Sequence, residues 1–548
     1  MDKENYNNYS AYFIEYTGDI SKDLEKCDYA FLQDIFPMAA MIYVEKGKEE
    51  KLIREIPRIL SIEENALFTT VILEEEYTLQ PPKKLIPHNR FHGDGILIGI
   101  AGGEIDFLKD LYLDEKEKSR VVGILDEGVD LEDITSSYGR EYSSAQLNKA
   151  IAFKIKGDNP YDVVPYLGES TYMDELCSVI GHRDFGLVPN CKFAFVKLRG
   201  IRNEGLKNGI KEEAYDTYGI LKALDYLYKV KLRENKPMVV YLPIEGRTAV
   251  KDGSSIVEKT INYYSKAGDF VVVATTGGNG NSGCYYSEVL RHKGKVKSQL
   301  HALAEGEVHS FNLSLGFHYL DQVTIKLRAL TTMEETILTS ENWRGERKKF
   351  SLKKGAIEAL FLPPRHRSFM KELKIKFCNV AEKHWQLEVF GEEISFGQVK
   401  LSIDKDFDNR VVFVSPKEEN SLSIPAMAKE AVIVTCYSKE EGSIRGISGK
   451  LSRKNIYIPR PIVIDGTGMS INSDNEYTNI KGIGLSGAIA TAVIAMLLQW
   501  KVIESNKRNL NINDIRTTLI RACRQKDETR TQEAFGVLDL NKFLEEML

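Results

Sequence analysis

A chain of 548 residues is too long for a single hydrophobic core, so two to four domains are expected. Charged residues make up 28% of it, yet the formal net charge is only -5, which excludes partners recognised by bulk charge, nucleic acid and anionic membrane surfaces among them. Short basic runs such as Arg347-Lys348-Lys349 read as solvated faces. The longest apolar run, Gly487 to Trp500, is too short for a membrane span, and the first residues lack the apolar core of a secretory signal, so the chain is expected to start in the cytoplasm. Seven cysteines (Cys27, Cys177, Cys191, Cys284, Cys378, Cys436, Cys523) are scattered without a C-x-x-C pair, which fits reduced core thiols. The histidines show no ligand spacing, and neither metal nor cofactor is expected.

Residues 11 to 75 alternate short strands with helical stretches, predicting a small α+β domain over 1–85. The prolines of Leu79-Gln-Pro-Pro-Lys-Lys-Leu-Ile-Pro then break regular structure and read as a linker. From Gly95, near-continuous apolar strands (Ile96 to Ile100, Phe193 to Leu198, Met238 to Leu242, Phe270 to Ala274) alternate with helices over Glu213 to Val230 and Ser254 to Ala267. Strands of that kind are buried on both faces, so an α/β doubly wound parallel sheet is predicted, its first part over 86–284. Strands without helices follow, among them Val323 to Leu327, Leu373 to Phe377 and Trp385 to Phe390, predicting an inserted all-β domain over 285–420. The α/β pattern resumes over 421–548, with a small-residue helix from Ser486 and an amphipathic one from Asn513.

Several stretches resemble the subtilisin-like serine proteases, and they occur in that family's order. Gly186-Leu-Val-Pro-Asn-Cys-Lys-Phe-Ala-Phe-Val-Lys is similar to G-V-A-P-x-A-x-L-x-x-V-K, and Val271-Val-Val-Ala-Thr-Thr-Gly-Gly-Asn-Gly to the strand and A-G-N-E-G turn of the oxyanion hole. Phe535-Gly-Val-Leu-Asp-Leu resembles the closing Y-G-x-G-x-L-N. Peptide cleavage in such a fold needs an aspartate, a histidine and a serine converging on one point. The resemblance puts Gly102 at the aspartate position, in Ile98-Gly-Ile-Ala-Gly-Gly-Glu-Ile-Asp, with Asp126 of Gly123-Ile-Leu-Asp-Glu-Gly as the rival reading. It puts Thr171 at the histidine and Gly484, in Gly482-Ile-Gly-Leu-Ser-Gly-Ala, at the serine. Gly278 falls at the oxyanion asparagine, a one-residue slip bringing in Asn279. Pro243-Ile-Glu stands where a substrate-pairing strand reads S-L-G, and the proline lacks a main-chain donor. Rescue of catalysis would require Asp126, His182 and Ser486 to come together.

A small prodomain, a long gap between the first two triad positions and a jelly-roll-like insertion after the oxyanion turn resemble the clostridial Csp spore-germination branch of these proteases. Thr171 and Gly484 are most similar to the degenerate CspC type, the CspA type coming second. The resemblance implies a catalytically inactive pseudoprotease, located in the spore, that keeps residues 1–85 attached and regulates germination. Its implied partners are other Csp-family subtilases, with a bile-salt germinant or co-germinant as ligand. The alternatives are an active endopeptidase with an unusual triad, or a scaffold that senses no ligand.

Overall fold

The computed structural model describes residues 8–71, 73–78, 85–86, 89–129, 139–166, 168, 172–200, 214–303, 307–339, 347–403, 411–417, 419, 421–438, 440–451, 460–471, 476–506, 510–525 and 534–547. Seven parallel core strands organise it: β1 (Leu97–Gly102), β2 (Val121–Asp126), β3 (Lys192–Lys197), β4 (Met238–Tyr241), β5 (Phe270–Thr275), β6 (Ala431–Ser438) and β7 (Ile462–Asp465). They lie in the order β2-β3-β1-β4-β5-β6-β7 within an eleven-stranded mixed sheet. Successive side chains of a strand point to opposite faces. Accordingly Ile98 and Ile100 of β1 enter one hydrophobic core while Leu97 and Ala101 enter the other. This double burial is why the core strands read as continuous apolar runs instead of alternating ones.

Helices cover both faces. Helix α1 (Tyr172–Gly181) and helix α4 (Ile483–Leu498) pack in the first core, and α2 (Thr217–Glu234) and α3 (Ile256–Tyr264) in the second. Helix α2 starts at Thr217 and not at Glu213, because the Asp216 side chain caps it by accepting the Gly219 N–H at 2.9 Å. Helix α4 starts before Ser486 and runs on through a π-helical segment, so that Ile483–Glu504 is, by length and composition, long and apolar enough to cross a membrane. In this fold 94% of its apolar window is buried inside the protein.

The insertion is a sandwich of a six-stranded and a five-stranded antiparallel sheet around Trp385 and its neighbours, as a jelly-roll-like domain requires. The N-terminal domain is a four-stranded antiparallel sheet carrying a helix over Glu49–Glu55. Arg347 does not face solvent with the rest of its basic run: its guanidinium sits 3.3 Å from Glu64 and 3.5 Å from the buried Glu49 of the N-terminal domain.

Two outcomes are expected for stability. Ile98→Ala empties a fully buried position between sheet and helices and should lower unfolding free energy by about 2–5 kcal/mol in urea titrations, whereas Ile155→Ser at an exposed position should change it by less than about 0.5 kcal/mol. Buried Glu258 accepts the Ser255 hydroxyl at 2.7 Å and the Met427 N–H at 3.1 Å, and burial pushes its carboxyl up from 4.5 to about 7. The native state therefore holds a proton that the unfolded chain has lost, so stability falls as pH rises through that window. Glu258→Gln should flatten this slope in urea titrations run from pH 5 to pH 8.

Candidate functional site

In an open parallel sheet a site forms beyond the carboxyl ends of the strands where the strand order reverses. Here that point is β1, the first strand in sequence, flanked by β3 and β4. Gly102 ends β1 and is buried. A Cβ at Gly102 would meet the Met173 sulfur at 3.2 Å and Pro243 Cγ at 3.4 Å, so apolar atoms already fill the space a side chain would need. Asp126 ends β2 at the same level, since Lys197 pairs with both Gly102 and Asp126. It lies two strands from β1, about 10 Å away at the usual strand spacing. Its carboxylate accepts the Gly128 N–H at 2.9 Å and sits 4.0 Å from Lys197, and burial holds its pKa above the usual carboxylate range.

Thr171 lies outside the described residues; the helix that follows it, α1, opens at Tyr172. Helix α1 packs beside α4, whose first turn holds Gly484. Gly484 is buried and its carbonyl accepts the Tyr241 hydroxyl at 2.7 Å. A Cβ on Gly487 would stand 2.4 Å from the ring of Tyr241, so any larger residue there would force the ring or the helix start to shift. The thiol of Cys436 is buried against Val71 and Ile483, and burial pushes it up to about 11, which leaves almost no thiolate at neutral pH.

The three rescue candidates are not brought together. His182 follows the last residue of α1, Gly181, whose carbonyl accepts from Arg120 at 2.8 Å, next to the first residue of β2. Asp126 is the last residue of that strand, about 16 Å away. His182 Nδ1 accepts the Asp184 N–H and its ring stacks on Phe185. The Ser486 hydroxyl donates to the Ile464 carbonyl on β7 at 3.2 Å, on the far side of the sheet from β2.

The turn after β5 is occupied as well. Gly278, half-buried, donates its N–H to the carboxylate of Glu245, which is 1% exposed. Asn279 is buried, with its Oδ1 held by Arg247 Nη2 at 2.9 Å and Nε at 3.1 Å. Glu245 and Arg247 were not singled out from the sequence. The signal available was a charged residue within Pro243-Ile-Glu-Gly, where the related motif has small ones.

One segment of the chain's own N-terminal region crosses the site. Strand Leu67–Thr70 lies between strands Ala214–Asp216 and Ile244–Gly246, antiparallel to both. The Val71 N–H then donates to the Pro243 carbonyl at 3.0 Å, and the Val71 side chain is buried against Ile483, next to Gly484. Past Leu73, strand Glu74–Tyr77 pairs with Tyr477–Lys481, the strand that leads into α4, and Glu74 meets Arg445 at 2.7 Å. Val71 on one side and Glu74 on the other thus carry the segment past the start of α4, upstream of the proline linker read from the sequence. The main-chain donor that Pro243 lacks is not needed for this strand addition. Proline lacks the N–H but keeps the carbonyl, and it is the carbonyl that Val71 uses.

Among the described residues, no group of three or more His, Cys, Asp or Glu side chains could hold a metal ion. No family model matches the chain, and no curated protein matches it. Solved structures do. The CspB protease of Clostridium perfringens is 19% identical over 83% of this chain and 94% of its own, with a TM-score of 0.71. The epidermin leader peptide processing serine protease EpiP of Staphylococcus aureus is 11% identical over 98% of each chain, with a TM-score of 0.48. Strand order, helix placement and the likeness to CspB together establish that this chain has a subtilisin-like fold with an inserted all-β domain.

Proposed function

We propose that this chain is a pseudoprotease: it keeps the protease scaffold, does not cleave peptides, and regulates other proteins by binding. The observation that carries the reading is that residues 67–71 and 73–77 lie along the cleft, by the strand end that carries Gly102 and the helix start that carries Gly484. The carboxylate that orients the base and the nucleophile that attacks must both be side-chain groups, and the hydrogen of a glycine can serve as neither. Losing one triad member of a subtilisin-type protease lowers turnover by about 10⁴–10⁶, which sets the scale of the deficit.

The finer reading follows the resemblance to the degenerate Csp types, CspC first. The chain controls the active Csp protease during spore germination, either by sensing a bile-salt germinant or as a CspA-like scaffold, and resides in the spore. The fold likeness to CspB supports a common scaffold for both. Calorimetry with bile salts supports the sensor arm if heat is released with saturation. Co-purification with Csp subtilases in the absence of bile-salt binding supports the scaffold.

Purified protein should run as one chain of 62.0 kDa and leave fluorogenic peptides intact. Stoichiometric self-generated fragments, or peptide turnover that co-purifies with the chain, would reject the reading. Val71→Asp places a carboxylate in an apolar niche and should loosen the strap, so that a trace of added protease cuts within 67–77 in the variant and not in the parent.

A further inference from the structure

We propose that the inserted β domain is the latch that keeps the 67–77 strap in the cleft, because it grips the N-terminal domain at the strand that feeds the strap. The inference deepens the pseudoprotease reading and rests on the strap being retained.

The grip has an apolar and an ionic part. Leu360 and Leu362 of the insert's strand Ala356–Leu362 are buried inside the hydrophobic core of the N-terminal domain, with Tyr12, Ile14, Ile42 and Ile62. The insert therefore completes that core, and withdrawing it would expose a small domain's interior to water. Around this contact, Arg347 reaches the Tyr12 hydroxyl at 3.1 Å together with Glu49 and Glu64. Arg365, 9% exposed, bridges Glu63 of the N-terminal domain at 3.4 Å and Glu372 of the insert at 3.0 Å. Removing one partner from this cluster while the domains stay in contact would leave a buried charge unpaired, so each arginine matters more here than in an exposed ion pair.

The position of the grip links it to the cleft. Glu63 and Glu64 end strand Ile59–Glu64, and only Asn65 and Ala66 separate that strand from the strap's first residue, Leu67. Those two residues carry no slack. Asn65 accepts the Thr217 N–H and donates to Asp216, and the Ala66 N–H donates to the Thr217 hydroxyl at 3.1 Å. The protease core joins the same cluster: Glu63 accepts the Ile256 N–H that opens α3, and Lys259 of α3 ties Glu15 at 2.6 Å to the insert's His366 carbonyl at 2.8 Å. Ser368 of the same insert loop donates to Asp252 of the core. N-terminal domain, insert and core thus share one buried charge cluster, and the strap leaves directly from it.

The test is amide hydrogen exchange on the full-length chain, comparing the parent with Arg365→Met and Arg347→Met. Exchange of peptides covering 67–77 should rise by roughly tenfold in the variants while β4 and β5 keep their parental rates. An unchanged strap in a variant whose N-terminal strands have loosened would overturn the proposal, and so would an equal rise throughout the core. Should the arginine variants not accumulate, Leu360→Ala must give the same selective rise or the proposal fails. Self-cleavage would reject the pseudoprotease reading without touching this readout, so the two can fail separately.

Discussion

Two short ladders of backbone hydrogen bonds, one through Leu67–Thr70 and one through Glu74–Tyr77, hold the end of the N-terminal region along the groove at the carboxyl edge of the sheet. Strand addition supplies main-chain bonds that any extended peptide could make. A segment that belongs to the same chain has an effective concentration at the groove above that of a free peptide. The burial of Val71 beside Ile483 and the ion pair between Glu74 and Arg445 set the register between the two ladders.

Met173 and Pro243 stand where a side chain on Gly102 would go, and Tyr241 closes on the carbonyl of Gly484. The carboxylate of Glu245 takes up the Gly278 N–H. These contacts fill the groove walls with close packing and polar contacts made within the chain.

The architecture was legible from the sequence where local pattern carries it. Strands buried on both faces show as unbroken apolar runs, and the all-β insertion shows as the loss of helical periodicity. Other features depend on partners distant in sequence. Gly102 and Asp126 each end an apolar strand, and only the strand order, with β3 between β1 and β2, separates the strand at the centre from its neighbour. Arg347 looks like any member of a basic run until Glu49 and Glu64 are brought to it from almost 300 residues upstream. The strap, Leu67 to Tyr77, carries no motif, because its bonds are made by backbone groups that every residue but proline possesses in full.

By itself the sequence determined the element types, the split of the sheet by an insertion, the absence of a C-x-x-C framework and the glycines at two of the positions that the resemblance assigns to catalysis. These follow from residue chemistry within short windows: hydrophobic period, proline and glycine, and the side chains that are missing. Only the tertiary structure decided what fills the groove, which charge is buried and which domains share a core. Those outcomes depend on long-range contacts whose free energy comes from excluding water between segments far apart in the chain, and no local window holds both partners.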